Sequence, residues 1–102
     1  MSRLHLNIQK EQVSEFCRKH HIRKLAIFGS ALRDDFRPDS DVDVLVEFDS
    51  EADGSFDQYL ETQDFLSSLF GRRVDLVEKS AIRNPFRRHS ILTSQEVVYV
   101  AS

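Results

Sequence analysis

Two aspartates, Asp41 and Asp43, stand two residues apart in the segment DSDVDVLVEF. Val42, Val44, Val46 and Phe48 form one wholly apolar set, with Asp41, Asp43, Leu45 and Glu47 between them, so residues 41–48 read as a β-strand with carboxylates leading one face. Residues i and i+2 of a strand share a face at roughly 6.5–7 Å along the backbone, which lets both carboxylates converge on one ion. Without compensation the pair would repel and would be costly to take out of water, so a cation or donor groups must answer it. Ligands that are all oxygen favour magnesium, which is held by one or two carboxylates together with water and substrate phosphates. Asp75 interrupts a second apolar run, RVDLV at residues 73–77, in the same way. If the two strands are neighbours, it completes a three-carboxylate cluster.

Gly29-Ser30 supplies a second component, because it closes the apolar run KLAIF at residues 24–28. A turn directly after a buried strand presents backbone N–H groups, glycine permits close approach of phosphate oxygens, and the serine hydroxyl adds a rotatable donor. Arg33 follows within a helical turn and can counter phosphate charge. Carboxylates for a metal and donors for phosphates are what phosphoryl and nucleotidyl transfer require, since the protein's part there is positioning and electrostatic neutralisation.

The elements that must carry these residues follow from periodicity. Val13, Phe16, Cys17 and His20 recur at helical spacing behind Asn7 as a candidate N-cap, predicting a helix over 8–20 with Cys17 and His20 on its buried face. Residues 31–36 have room for one or two helical turns before Pro38 breaks the chain. The acidic, small-residue stretch 49–57 reads as a surface loop. Ser55 and Gln58 form a capping box ahead of Phe56, Tyr59, Leu60, Gln63, Leu66 and Phe70, and Gly71 stands at the expected C-terminal cap, predicting a helix over 56–70. A basic turn or helix is expected around Asn84-Pro85-Phe86-Arg87-Arg88, and EVVYV at 96–100 reads as a last strand or a helix end. The order predicts an α/β domain with a small sheet covered by helices on at least one face.

With 102 residues, 40% of them hydrophobic and eight of them Phe, the chain has the material for one globular domain, 1–102, and no second. A formal net charge of −3 disfavours a broad grip on nucleic acid, which needs a basic face. Cys17 is the only cysteine, and no apolar spanning run or leader is visible, so the expectation is a cytoplasmic protein that meets no membrane. A zinc site built on Cys17 with His20 or His21 lacks a fourth ligand, and only one of the two histidines shares the helical face of Cys17. Arg87 and Arg88 read as a solvated basic turn.

Gly29-Ser30, ten residues, then Asp41-Val42-Asp43 at the head of a strand, within IFGSALRDDFRPDSDVDVLVEF, resembles the signature of the polymerase-β-like nucleotidyltransferases, in particular their minimal branch. Asp75 in VDLV is similar to that family's third carboxylate, and NPFRRHSIL to the tail of its short members. The resemblance implies a minimal nucleotidyltransferase fold, with Asp41, Asp43 and Asp75 as catalytic and magnesium-binding residues and Gly29, Ser30 and Arg33 holding the triphosphate of ATP. Members of this branch are commonly encoded beside a HEPN-domain protein, and some are antitoxins that transfer AMP to a tyrosine of that HEPN ribonuclease. The resemblance therefore implies a protein adenylyltransferase with a HEPN-domain toxin as partner, open to oligomer formation with it. Two alternatives stay open here: neutralisation of such a partner by binding alone, and nucleotidyl transfer to a small molecule.

Overall fold

A computed structural model describes residues 8–29, 41–49 and 56–101. The chain runs through α1 (Lys10–Lys19), β1 (Ile22–Phe28), β2 (Val42–Phe48), α2 (Phe56–Phe70), β3 (Val74–Glu78), a 3-10 turn over Lys79–Ala81, α3 (Pro85–Ser94) and β4 (Glu96–Val100). The strands form one mixed sheet in the order β3-β2-β1-β4, with β1 antiparallel to both β2 and β4 and β2 parallel to β3. A parallel pair cannot be joined by a tight turn, and α2 supplies the crossover that β2 and β3 need.

The two faces of the sheet are covered unequally. Val42, Val44 and Val46 of β2, Leu25 and Ile27 of β1, and Val74 and Leu76 of β3 pack with Val13 and Cys17 of α1 and Leu66 of α2 in the larger core. Burying a side chain such as Leu66 contributes about 1.5–3 kcal/mol, so this face holds most of the hydrophobic stabilisation. On the other face, Ala26, Phe28 and Leu45 pack with Ile82 and with Ile91 of α3. Leu45, expected on the carboxylate side of its strand, lies there and is buried. Asp43 belongs to this thinner side.

Local chemistry accounts for the boundaries. Gly71 has φ +65 and ends α2, and the Arg72 N–H reaches back to the Ser67 carbonyl, which satisfies an orphan acceptor of the last turn. Asn84 caps α3 by accepting from the N–H groups of Phe86 and Arg87, with Pro85 in the first turn. The turn from α1 into β1 passes through His21 at φ 57, a conformation histidine tolerates better than most residues.

Several expectations need correction. The first helix is shorter than 8–20 and begins behind Gln9, whose side chain accepts no capping hydrogen bond; Asn7 lies outside the described residues. The first strand starts two residues earlier, at Ile22, because Ile22 pairs with Phe48. Residues 31–36, Pro38 and Ser55 lie outside the described residues, so neither the expected turns nor the capping box is placed. Gln58 turns its amide Nε2 to the His20 carbonyl, 2.8 Å away, tying α2 to the end of α1. Phe56 and Asp57 belong to the first turn of α2, not to the preceding loop, and Phe56 is 71% exposed although its spacing matched the buried stripe. A helix buries its stripe only where a neighbour covers it, and Phe56, at the very start of α2, is left open to solvent.

Candidate active site

Register decides which carboxylates meet. In the parallel pair, Asp43 of β2 stands in register with Asp75 of β3. Neighbouring strands are about 4.8 Å apart and partnered residues point to the same face, so these two side chains are immediate neighbours. Asp41, two residues before Asp43, shares that face just ahead of the strand, and the bond from the Val42 N–H to the Arg73 carbonyl, 2.9 Å, fixes the start of β2 against the residue that leads into β3. Asp43 is half-buried, whereas Asp41 and Asp75 are exposed. The condition set by the sequence, that the two strands be neighbours, is met.

On its other flank Asp43 pairs with Phe28, and the next residue is Gly29 at φ +75. A Cβ built on Gly29 would fall against the Asp43 carboxylate oxygen Oδ2 and 3.1 Å from its Cγ. Glycine is thus required twice at this position, for the left-handed backbone and for the room that the carboxylate occupies. Ser30 and Arg33, expected to join Gly29 at the triphosphate, lie outside the described residues.

The donors that the site offers are carboxylate oxygens, which suit a hard divalent cation. Among the described residues no group of three or more His, Cys, Asp or Glu side chains is close enough to hold a metal ion by itself. Asp41, Asp43 and Asp75 are all described, so the expected three-carboxylate cluster is not drawn together; magnesium, which relies on one or two carboxylates and draws its other ligands from phosphates and water, calls for only two of them. Asp43 with Asp41 or Asp75 fits such a partial set.

Two residues of α2 have a part that their spacing did not disclose. Tyr59 donates its hydroxyl to the Leu76 carbonyl, and Gln63 donates Nε2 to the Val74 carbonyl at 2.8 Å. Burial first, and then the charges of Asp75 and Glu78, hold the Tyr59 phenol above its ordinary value of 10.0. Both residues had been counted into the apolar stripe of the helix; the available signal was a pair of hydrogen-bonding tips four residues apart on the covered side.

The other candidates separate from this place. Cys17 is fully buried, and burial pushes its thiol up to about 12, the opposite of the thiolate that zinc would need. His20 stacks on Phe16 with ring centres 4.1 Å apart and faces Glu61 at 3.6 Å. Arg87 and Arg88 are exposed on α3. Arg88 lines a cleft with Glu47, Phe48, Glu78, Lys79 and Ser80, beside the ends of β2 and β3 opposite the aspartates. No helix among the described residues is long and apolar enough to cross a membrane.

The family profile described as a nucleotidyltransferase domain matches residues 10–98. A protein adenylyltransferase, MntA, of Thermococcus cleftensis is 36% identical over 95 residues, covering 93% of this chain and 88% of the relative. The solved structure of a candidate minimal nucleotidyltransferase superposes with a TM-score of 0.72 at 30% identity, covering 86% of this chain and 87% of the other. The fold also matches a chain in the complex of tri-AMPylated Shewanella oneidensis HEPN toxin with MNT antitoxin, with a TM-score of 0.61 at 18% identity over 90% of this chain and 70% of that one. The chain belongs to the nucleotidyltransferase domain family, in its minimal branch, and is a nucleotidyltransferase.

Proposed function

We propose that this protein transfers AMP from ATP to a tyrosine hydroxyl of a HEPN-domain toxin and acts as that toxin's antitoxin. The observation that carries the reading is the in-register pair Asp43 and Asp75, set beside a glycine whose missing Cβ leaves the Asp43 carboxylate its space. A protein that only occluded its partner would gain nothing from like charges placed side by side on a sheet, an arrangement that costs stability. The likeness to the Thermococcus MntA enzyme supports protein as the acceptor class, and the AMPylated HEPN toxin of the Shewanella complex supports a HEPN toxin as its target.

In this reading Asp41 and Asp43 bind magnesium, while the backbone at Gly29 with Ser30 and Arg33 holds the triphosphate. Magnesium, when bound, neutralises phosphate charge and eases loss of the proton from the attacking hydroxyl. Asp75, on the adjacent strand and open to solvent, faces the acceptor and takes the tyrosine proton. The tyrosine oxygen forms a bond to the α-phosphorus as the bond from that phosphorus to the bridging oxygen breaks, and pyrophosphate leaves with the electron pair.

The test is to incubate the chain with the protein encoded beside it, magnesium and each labelled nucleoside triphosphate in turn, and to weigh both proteins by mass spectrometry. Gain of AMP on a partner tyrosine, from ATP alone, is the expected result. A partner that stays unmodified while its ribonuclease activity is suppressed would replace transfer by occlusion.

A further inference from the structure

The strand that carries Asp75 lies at an edge of the sheet. It has five residues and, among the described residues, pairs only with β2, so its other side presents backbone groups with no described strand beside them. The direction of those groups follows from one bond. The Arg73 carbonyl accepts from Val42 and therefore points toward β2. Carbonyls alternate along a strand, so that of Asp75 also points inward, and those of Val74 and Leu76 point out. These two outward carbonyls are the ones that Gln63 and Tyr59 engage. The two donors are four residues apart on α2 and so share a helical face, and the carbonyls they hold stand on either side of Asp75.

We propose that Tyr59 and Gln63 are positioning residues that clamp the outer edge of β3 and thereby hold Asp75 in register with Asp43 for transfer. The inference rests on the placement of Asp75 in the transfer site. Asp75 is exposed, so packing constrains its side chain little, and its location is set chiefly by the backbone of an edge strand held by β2 on one side. Without the clamp, that backbone is free to shift outward on a scale that matters to chemistry, where displacement by an ångström costs orders of magnitude in rate. Asp41 and Asp43 lie at or ahead of the inner strand β2, which has β1 and β3 on its two sides, and they keep their places. The clamp thus acts on the acceptor side and leaves nucleotide capture alone.

The experiment compares wild type, Tyr59→Phe, Gln63→Leu, the double variant, Asp75→Asn and Thr62→Val, with the neighbouring-gene protein as acceptor and labelled ATP as donor. Thr62→Val is the control for damage to α2, because Thr62 is buried and its hydroxyl bonds within the helix, to the Gln58 carbonyl at 2.9 Å. All rates are taken at a temperature where the melting curve of each variant shows it folded. The expected result is a fall of tenfold or more in turnover at saturating ATP for the double variant, an intermediate fall for each single one, a KM for ATP within about twofold of wild type, and normal turnover for Thr62→Val. A clamp variant that loses ATP affinity and keeps its turnover, or a Thr62→Val that slows as much as the double variant, overturns the clamp. So does an undiminished double variant in a system where Asp75→Asn is inactive, and in that case the functional reading stands. A wild-type chain that transfers nothing, or an Asp75→Asn that transfers at full rate, overturns the placement of Asp75 and the clamp together.

Discussion

Gly29 and Asp43 divide a space that only one side chain can fill: the position a Gly29 Cβ would take lies against Oδ2 of the Asp43 carboxylate. The backbone at Gly29 also has φ +75, which an L side chain adopts at a cost of roughly 1–2 kcal/mol. Gly29→Ala should therefore lose about that much stability, as read by chemical denaturation, and should push the Asp43 carboxylate out of place. A drop of at least tenfold in single-turnover transfer at saturating ATP is the expected signature. An alanine variant with normal turnover would separate the glycine from the placement of the carboxylate.

The pairing of Asp43 with Asp75 sets two negative charges side by side, which costs on the order of 0.2–1 kcal/mol when nothing intervenes. Asp43→Asn removes one of them at constant size. The variant should be inactive in transfer, while its stability in metal-free, low-salt buffer should be unchanged or up to about 1 kcal/mol higher than that of wild type. Circular-dichroism melts with and without magnesium check the second half: wild type should gain stability on adding the ion and the Asp41→Asn, Asp43→Asn double variant should not. Full transfer by that double variant would remove the carboxylate site altogether.

What could be read before the fold was known divides along physical lines. The bounds of α2 at Phe56 and Phe70 were legible, because a 3.6-residue period closed by Gly71 is local information. The alternation of β2 was legible for the same reason, down to Asp43 opposing its apolar neighbours. The adjacency of Asp43 and Asp75 was legible only as a condition, since it depends on where the α2 crossover lays β3. The contact of Gly29 with Asp43 depends on the antiparallel register of β1 and β2, which spans a connection of 13 residues and leaves no local mark. Tyr59 and Gln63 were read as part of an apolar stripe because period alone does not distinguish a side chain that packs from one that packs and also bonds at its tip. The start of α2 departs from its pattern for a related reason: Phe56 satisfies the period but is left exposed.

The unequal faces of the sheet should answer differently to truncation. Leu66→Ala opens the larger core, where the side chain is fully buried, and should cost about 2–5 kcal/mol. Ile91 belongs to the smaller cluster with Phe28 and Leu45, the residues that flank Asp43 across and along the sheet. Ile91→Ala should cost less stability than Leu66→Ala, because a cavity at a thin, partly open layer collapses or hydrates more readily. It should nonetheless slow transfer more, measured for both variants well below their melting temperatures. The reverse order of rates would mean that α3 does not support the carboxylate face.

Cys17 gives the pH dependence of stability a sign that can be worked through. Its thiol has an ordinary value of 9.0 and is pushed up to about 12 in the fold, by burial against a smaller opposing pull from Arg18. Below pH 9 the thiol is protonated in both the folded and the unfolded chain, so it leaves stability indifferent to pH. Between about 9 and about 12 the unfolded chain releases this proton and the folded chain keeps it. The unfolded state then binds fewer protons, and stability falls as pH rises, by about 1.4 kcal/mol per unit from this group alone. Tyrosines and lysines titrate in the same range, so the informative quantity is the difference between wild type and Cys17→Ala, in which their contributions cancel. Denaturant midpoints at pH 8, 9, 10 and about 10.5 should show the margin of wild type over Cys17→Ala constant up to pH 9 and shrinking beyond it at that slope. A margin that stays flat to the end of the range would mean that the thiol ionises as easily inside the fold as in water, and that the space between α1 and the sheet admits solvent.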